Sequence, residues 1–190
     1  MTLLVTASSA RAGTDPNREW FTLESEHFAV HSYNGGEALA RRVASAAEDA
    51  KRIVDPLLGY SPKERVHIRL IDDTDGTNGY AWVVPYDTIV LYAHPPAMGS
   101  ALSIYDDWLR LLVIHEYAHI VHLDHAPGFP EVVNDLIGKT LKPNQALPRW
   151  FTEGLATWVE TEVTGGGRTG SSRFEMMLRA AALADRLPSL

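Results

Sequence analysis

The segment 104–124 constrains the fold more than any other part of the chain. It reads Ile-Tyr-Asp-Asp-Trp-Leu-Arg-Leu-Leu-Val-Ile-His-Glu-Tyr-Ala-His-Ile-Val-His-Leu-Asp. Apolar residues lie on nearly every side at helical spacing, which predicts a buried helix. At 190 residues, 45% of them hydrophobic, the chain is long enough to build one sizeable core in a single domain.

The chain before this helix is rich in strands. Residues 20–24 and 27–33 read as two short strands, and Gly35-Gly36 ends the second. Residues 38–58 predict a helix, with Leu39, Val43, Ala46, Ala47, Ala50, Ile53, Val54 and Leu57 near helical spacing. Pro56 is expected to distort its last turn. In 66–71, Val66, Ile68 and Leu70 face one way, as in a strand. Residues 80–84 and 88–92 predict a hairpin turning at Pro85-Tyr86-Asp87. Helices dominate afterwards: a short one over 130–136, one over 148–163 that stops at Gly165-Gly166-Gly167, and an amphipathic one over 171–187. Strands first and helices after predict an α+β domain over 18–190.

Composition removes several classes of function. Lys and Arg total 17 against 24 Asp and Glu, a net charge of −7, which argues against nucleic acid and anionic membranes as partners. No stretch approaches the roughly 18 apolar residues of a membrane span. The absence of cysteine excludes disulfides, thiolate-ligated zinc, iron–sulfur clusters and thiol catalysis. Residues 1–17 contain an A-x-A pattern at Ala10-Arg11-Ala12, but no Lys or Arg precedes Leu3-Leu4-Val5. They read either as a loose N-terminus or as the end of an export signal, so the expected location is secreted or periplasmic, and otherwise cytoplasmic. His27, His31 and His67 read as ordinary strand residues, and Asp72-Asp73-Thr74-Asp75-Gly76 as a solvated loop.

The chemistry lies in His115-Glu116-Tyr117-Ala118-His119. A helix rises about 1.5 Å per residue, so histidines four apart share one face one turn apart. Two imidazoles there can grip one metal ion, and Glu116 beside them can take a proton from a water on it. Burying two histidines and a glutamate in an apolar helix costs several kcal/mol unless something satisfies them, as a metal does. Zinc needs a third protein ligand. One candidate is His125, ten residues after His115, although His122 stands where a glycine bend would be expected. The other is Glu153, in Pro148-Arg149-Trp150-Phe151-Thr152-Glu153-Gly154-Leu155-Ala156.

Taken together, the His-Glu-x-x-His helix and the second helix carrying Trp-Phe-Thr-Glu-Gly-Leu-Ala resemble the gluzincin metallopeptidases, most closely the peptidase MA-like domains. The resemblance spans residues 20–187 and is strongest at 78–92, 108–124 and 148–160. It implies a small mixed sheet with an edge hairpin packed on the active-site helix. It also implies one Zn²⁺ held by His115, His119 and Glu153, Glu116 as general base, and a peptide or protein substrate. In that family the edge strand binds substrate backbone, which places Tyr80, Ala81 and Trp82 at the substrate. Gly154 is expected to bring the two helices close, and 126–147 to loop out as an insertion. Glu160 is placed to accept the free N–H of a zinc-bound histidine, and His122 lies one turn beyond His119 as a cleft or supporting residue. The Gly-x-Met-Glu-Asn signature of aminopeptidases is missing, so the expectation is endopeptidase or unassigned peptidase activity.

Two other readings stay open: a metzincin-like peptidase using His125, and a zinc-stabilised module that binds peptides without cutting them. No Tyr follows Tyr117 and no His follows His125, so the family's usual oxyanion donor has no counterpart. Arg168 and Arg173 flank the glycine-rich loop and could reach the cleft, but read rather as surface charge. The expectation is an open cleft and a natural protein with further C-terminal domains beyond Leu190.

Overall fold

The computed structural model describes residues 18–72, 75–100 and 102–187. The signal-like segment 1–17, and Asp73 and Thr74 of the acidic turn, lie outside the described residues. The fold is α+β. In chain order it runs β1 (Trp20–Glu24), β2 (Phe28–Tyr33), α1 (Glu37–Leu58), β3 (Val66–Ile71), β4 (Thr77–Trp82) and β5 (Thr88–Ala93). Then come α2 (Trp108–Asp124), α3 (Phe129–Ile137), α4 (Arg149–Thr164) and α5 (Ser172–Leu183), with 3₁₀ turns at Pro143–Ala146 and Arg168–Gly170.

The sheet is mixed, in the order β1-β2-β3-β5-β4. β2, β3 and β5 are parallel, while β1 and β4 pair antiparallel with their neighbours and form the two edges. Alternate strand residues, among them Phe28, Val30, Ile68, Leu70, Ile89 and Leu91, form one core with Val43, Ala47 and Val54 of α1 and with most of α2. On the other face, His31 Nε2 lies 2.9 Å from His67 Nδ1. His27 instead reaches Glu48 of α1, 2.8 Å away.

Several boundaries differ from the sequence reading. α2 begins at Trp108 rather than 104, because the Asp107 side chain accepts the Arg110 N–H at 3.3 Å and caps the helix there. α1 runs through Pro56 to Leu58 and ends at Gly59 in the left-handed region, φ 70°. α5 is shorter than 171–187, and none of its residues is buried.

Segment 126–147 carries α3, none of whose residues is buried, and is tied back to the rest of the fold by ion pairs and hydrogen bonds. Lys139 Nζ donates to Asp87 Oδ2 at 2.6 Å and pairs with Asp124 Oδ1 at 2.8 Å, and Lys142 Nζ reaches Asp124 Oδ1 at 2.8 Å. Asn144 Nδ2 donates to the carbonyls of His122 and His125, each at 2.8 Å. The last carbonyls of a helix lack intrahelical partners, and Asn144 supplies one at the end of α2. Among the described residues no helix is long and apolar enough to cross a membrane.

Candidate metal centre

α2 carries His115 and Glu116 into the interior, at 5% and 4% exposure, because its apolar residues pack against neighbours on nearly every side. His119 follows one turn later, and the two imidazole rings stand 4.8 Å apart at 87°. α4 packs against α2 and brings up Glu153, whose Oε2 lies 3.4 Å from His115 Nε2 and 3.7 Å from His119 Nε2. One ligand atom from each of the three residues falls within 4.8 Å of the others. Donors about 2.1 Å from a tetrahedral metal stand roughly 3.4 Å apart, which the two distances to Glu153 approach.

His125 is elsewhere. It caps the C-terminus of α2 and stacks on Tyr60 at 4.7 Å, bordering a separate pocket under α3. His122 does not border the metal cleft. Its ring packs near Phe151, at 5.8 Å, and its Nε2 is buried without a hydrogen-bond partner among the described residues. Glu160 lies where the sequence reading placed it, its Oε2 3.1 Å from His115 Nδ1.

Arg168, read from the sequence as surface charge, is instead part of this arrangement. Its Nε and Nη2 donate to Glu160 at 2.7 and 2.8 Å, and its backbone N–H donates to Oε1 at 3.0 Å. The glycine-rich loop makes this return possible. Gly165 takes the left-handed turn at φ 68°, and a Cβ on Gly167 would stand 2.6 Å from Thr161 Cα. Arg173 is exposed, as expected, and donates to the carbonyl of Gly99 at 3.3 Å.

His115 Nδ1 thus lies between the Glu160 carboxylate and Arg168 Nη2, the latter at 2.7 Å. A neutral imidazole carries one ring proton. Arg168 Nη2 can only donate, so the two contacts call for opposite tautomers; with the proton on Nδ1, His115 donates to Glu160, makes no hydrogen bond with Arg168, and leaves the Nε2 lone pair facing His119 and Glu153. This is the tautomer that can ligate a metal.

The cleft encloses about 520 Å³ and is bordered by His115, Glu116, His119, Glu153 and Arg168 on one side and by β4 on the other. Asn78, Gly79, Tyr80 and Ala81 border it, but Trp82 does not. Only Gly79 and Ala81 face α2. The rings of Tyr80 and Trp82 stack on the opposite face of the sheet at 5.5 Å, because strand side chains alternate. Tyr80 and Ala81 can therefore meet an extended ligand through their backbone, and the Trp82 ring is turned away. Gly154 has open space around it, so it does not bring the helices together.

The electrostatics separate the four acid and base groups. Burial and the neighbouring His115 push His119 down to about 4, keeping it neutral. Burial raises Glu116 to about 7, with the Glu153 charge adding to the shift and His115 opposing it. Burial would raise Glu160 as well, but the hydrogen bonds from Arg168 and His115 hold it at about 2. Burial likewise opposes ionisation of Glu153, yet His119 and His115 keep it below the usual carboxylate range.

The sequence reading missed Gly79 and misjudged Arg168. Glycine inside a strand is a signal of close approach, and an arginine directly after a glycine-rich helix stop is a weaker one. No protein-family model matches the chain, and neither a curated protein nor a solved structure is similar enough to match it.

Proposed function

We propose that the chain is a zinc-dependent peptidase of gluzincin type. One observation carries the reading: a ligand atom from each of His115, His119 and Glu153 comes within 4.8 Å of the others, in a cleft also bordered by the buried Glu116. The donor set suits zinc, being two neutral imidazoles and one carboxylate without thiolate. A zinc ion bound there supplies Lewis acidity, polarising a scissile carbonyl and bringing the pKa of a water towards neutrality. Glu116, buried in the same cleft, would serve as the base that accepts a proton there and returns it to a leaving amine nitrogen. Glu153 adds negative charge and Glu160 orients His115 through its Nδ1–H. The edge of β4 offers backbone groups to an extended peptide, and the cleft is open on the side of Arg149 and the half-exposed Glu153.

The test measures zinc per chain and cleavage of an unstructured protein such as casein. Wild type is expected to hold one zinc and to cleave. Glu116→Gln is expected to hold one zinc and to lose about 10²–10⁴-fold in rate, the usual contribution of a general base. Absence of zinc in wild type, or equal rates for the two proteins, sinks the reading.

A further inference from the structure

Gly79 sits in the middle of β4 with neither a bulge nor a positive φ to account for it. Glycine weakens a strand interior and marks a bulge, a bend or a close approach. The ladder from Thr77↔Ala93 to Trp82↔Thr88 skips no residue, so β4 has no bulge. Gly79 is not among the glycines with positive φ. Close approach is what remains. A Cβ on Gly79 would stand 2.7 Å from Glu116 Oε1, 2.8 Å from Cγ and 2.9 Å from Cδ. Its three nearest atoms all belong to Glu116, and among the described residues no hydrogen bond holds that carboxylate.

We infer that Gly79 is a positioning residue for Glu116: the bare backbone of β4 is the wall against which the carboxylate is set, in the cleft that His115 and His119 also border. The functional consequence rests on the reading of Glu116 as the base, whereas the steric relation stands without it. A methyl group at position 79 must displace something. β4 is held by its ladder to β5 and α2 by the core, while the Glu116 carboxylate ends a flexible side chain. The carboxylate is what yields. The fold and the metal ligands stay, and the base moves.

The experiment compares four zinc-loaded proteins: wild type, Gly79→Ala, Glu116→Asp and Gly79→Ala/Glu116→Asp. Zinc per chain is expected to be equal in all four. The kcat of Gly79→Ala is expected to fall on the order of 10²-fold, as for a reacting group misplaced by about 1 Å, with KM changed by less than about threefold. Aspartate already withdraws the carboxylate from its place, so Gly79→Ala has less positioning left to remove and the double variant should be faster than the product of the two single losses. A crystal structure of Gly79→Ala should find the carboxylate turned away from β4 and His115, His119 and Glu153 unmoved. A kcat within about twofold of wild type, strictly multiplicative losses, or an unmoved carboxylate beside a displaced β4 overturns the inference. A wild type that cleaves no peptide removes the peptidase reading alone, and the crystallographic comparison then still decides the steric one.

Discussion

Glu160, without solvent exposure, accepts two hydrogen bonds from the Arg168 guanidinium, at 2.7 and 2.8 Å. The pair closes a chain of contacts that runs from the loop after α4, through Glu160, to Nδ1 of His115. A buried carboxylate is stable as an anion only when paired and hydrogen-bonded. Glu160 is therefore an effective acceptor for His115 because Arg168 is there.

Replacing Arg168 with Met should strand that charge. Breaking a buried pair by removing one partner costs about 3–5 kcal/mol, and loss of such a supporting contact costs roughly 10–100-fold in metal affinity. Urea denaturation and chelator competition measure the two effects. Arg173→Met, at an exposed position, is the control and should change neither. Equal zinc affinity in Arg168→Met and wild type would refute the coupling.

The third ligand is tested by zinc content. Glu153→Ala should reduce zinc affinity severely, because two histidines on one helix remain as the only protein ligands. His125→Ala should leave zinc almost intact and lose only its stacking on Tyr60. The opposite pattern would restore His125 as ligand and the metzincin-like reading with it.

The metal-free protein should depend on pH through Glu116. Its pKa is raised from 4.5 to about 7, chiefly by burial. Between these values the folded chain holds a proton that the unfolded chain has released. The resulting stability is fully present below pH 4.5 and is lost as pH rises through about 7. Glutamine cannot ionise, so metal-free Glu116→Gln should exceed wild type by on the order of 3 kcal/mol at about pH 8 and match it near pH 4.5. His119, pushed down to about 4, acts with the opposite sign, destabilising both proteins as pH falls from 6.5, and cancels in the comparison. Urea melts after chelation, at the two pH values, read the difference. A gap that widens towards acid contradicts the assignment.

Segment 126–147 is anchored by Lys139, which bridges Asp87 and Asp124. Asp87 has no solvent exposure, and its Oδ1 is without a partner among the described residues. Lys139→Met should destabilise the fold by about 3 kcal/mol, since it leaves a buried carboxylate unpaired. Adding Asp87→Asn should recover a substantial part of that loss, because the amide carries no charge. Denaturation midpoints of the two variants check this, and additive destabilisation would contradict it.

The order of strands and helices, the buried character of α2 and the paired histidines were legible in the sequence, because periodicity and i, i+4 spacing are local properties of a chain. Even Glu160 could be placed, since its distance from Glu153 is set by helical geometry alone. Direction and closure were not local. Whether Tyr80 and Trp82 face the cleft depends on the register of β4 against β5 and on which face α2 covers. Whether Arg168 is surface charge depends on a loop that returns to Glu160. How 126–147 is tied back depends on lysines meeting Asp87 and Asp124, distant from them in the chain. Whether the third ligand position falls to Glu153 or His125 depends on how α4 packs on α2, and Gly79 acquires meaning only when Glu116 lies against it. The sequence by itself determined which groups the helices carry. The tertiary structure decided which of them meet, because contacts between distant segments are set by the packing of the whole core.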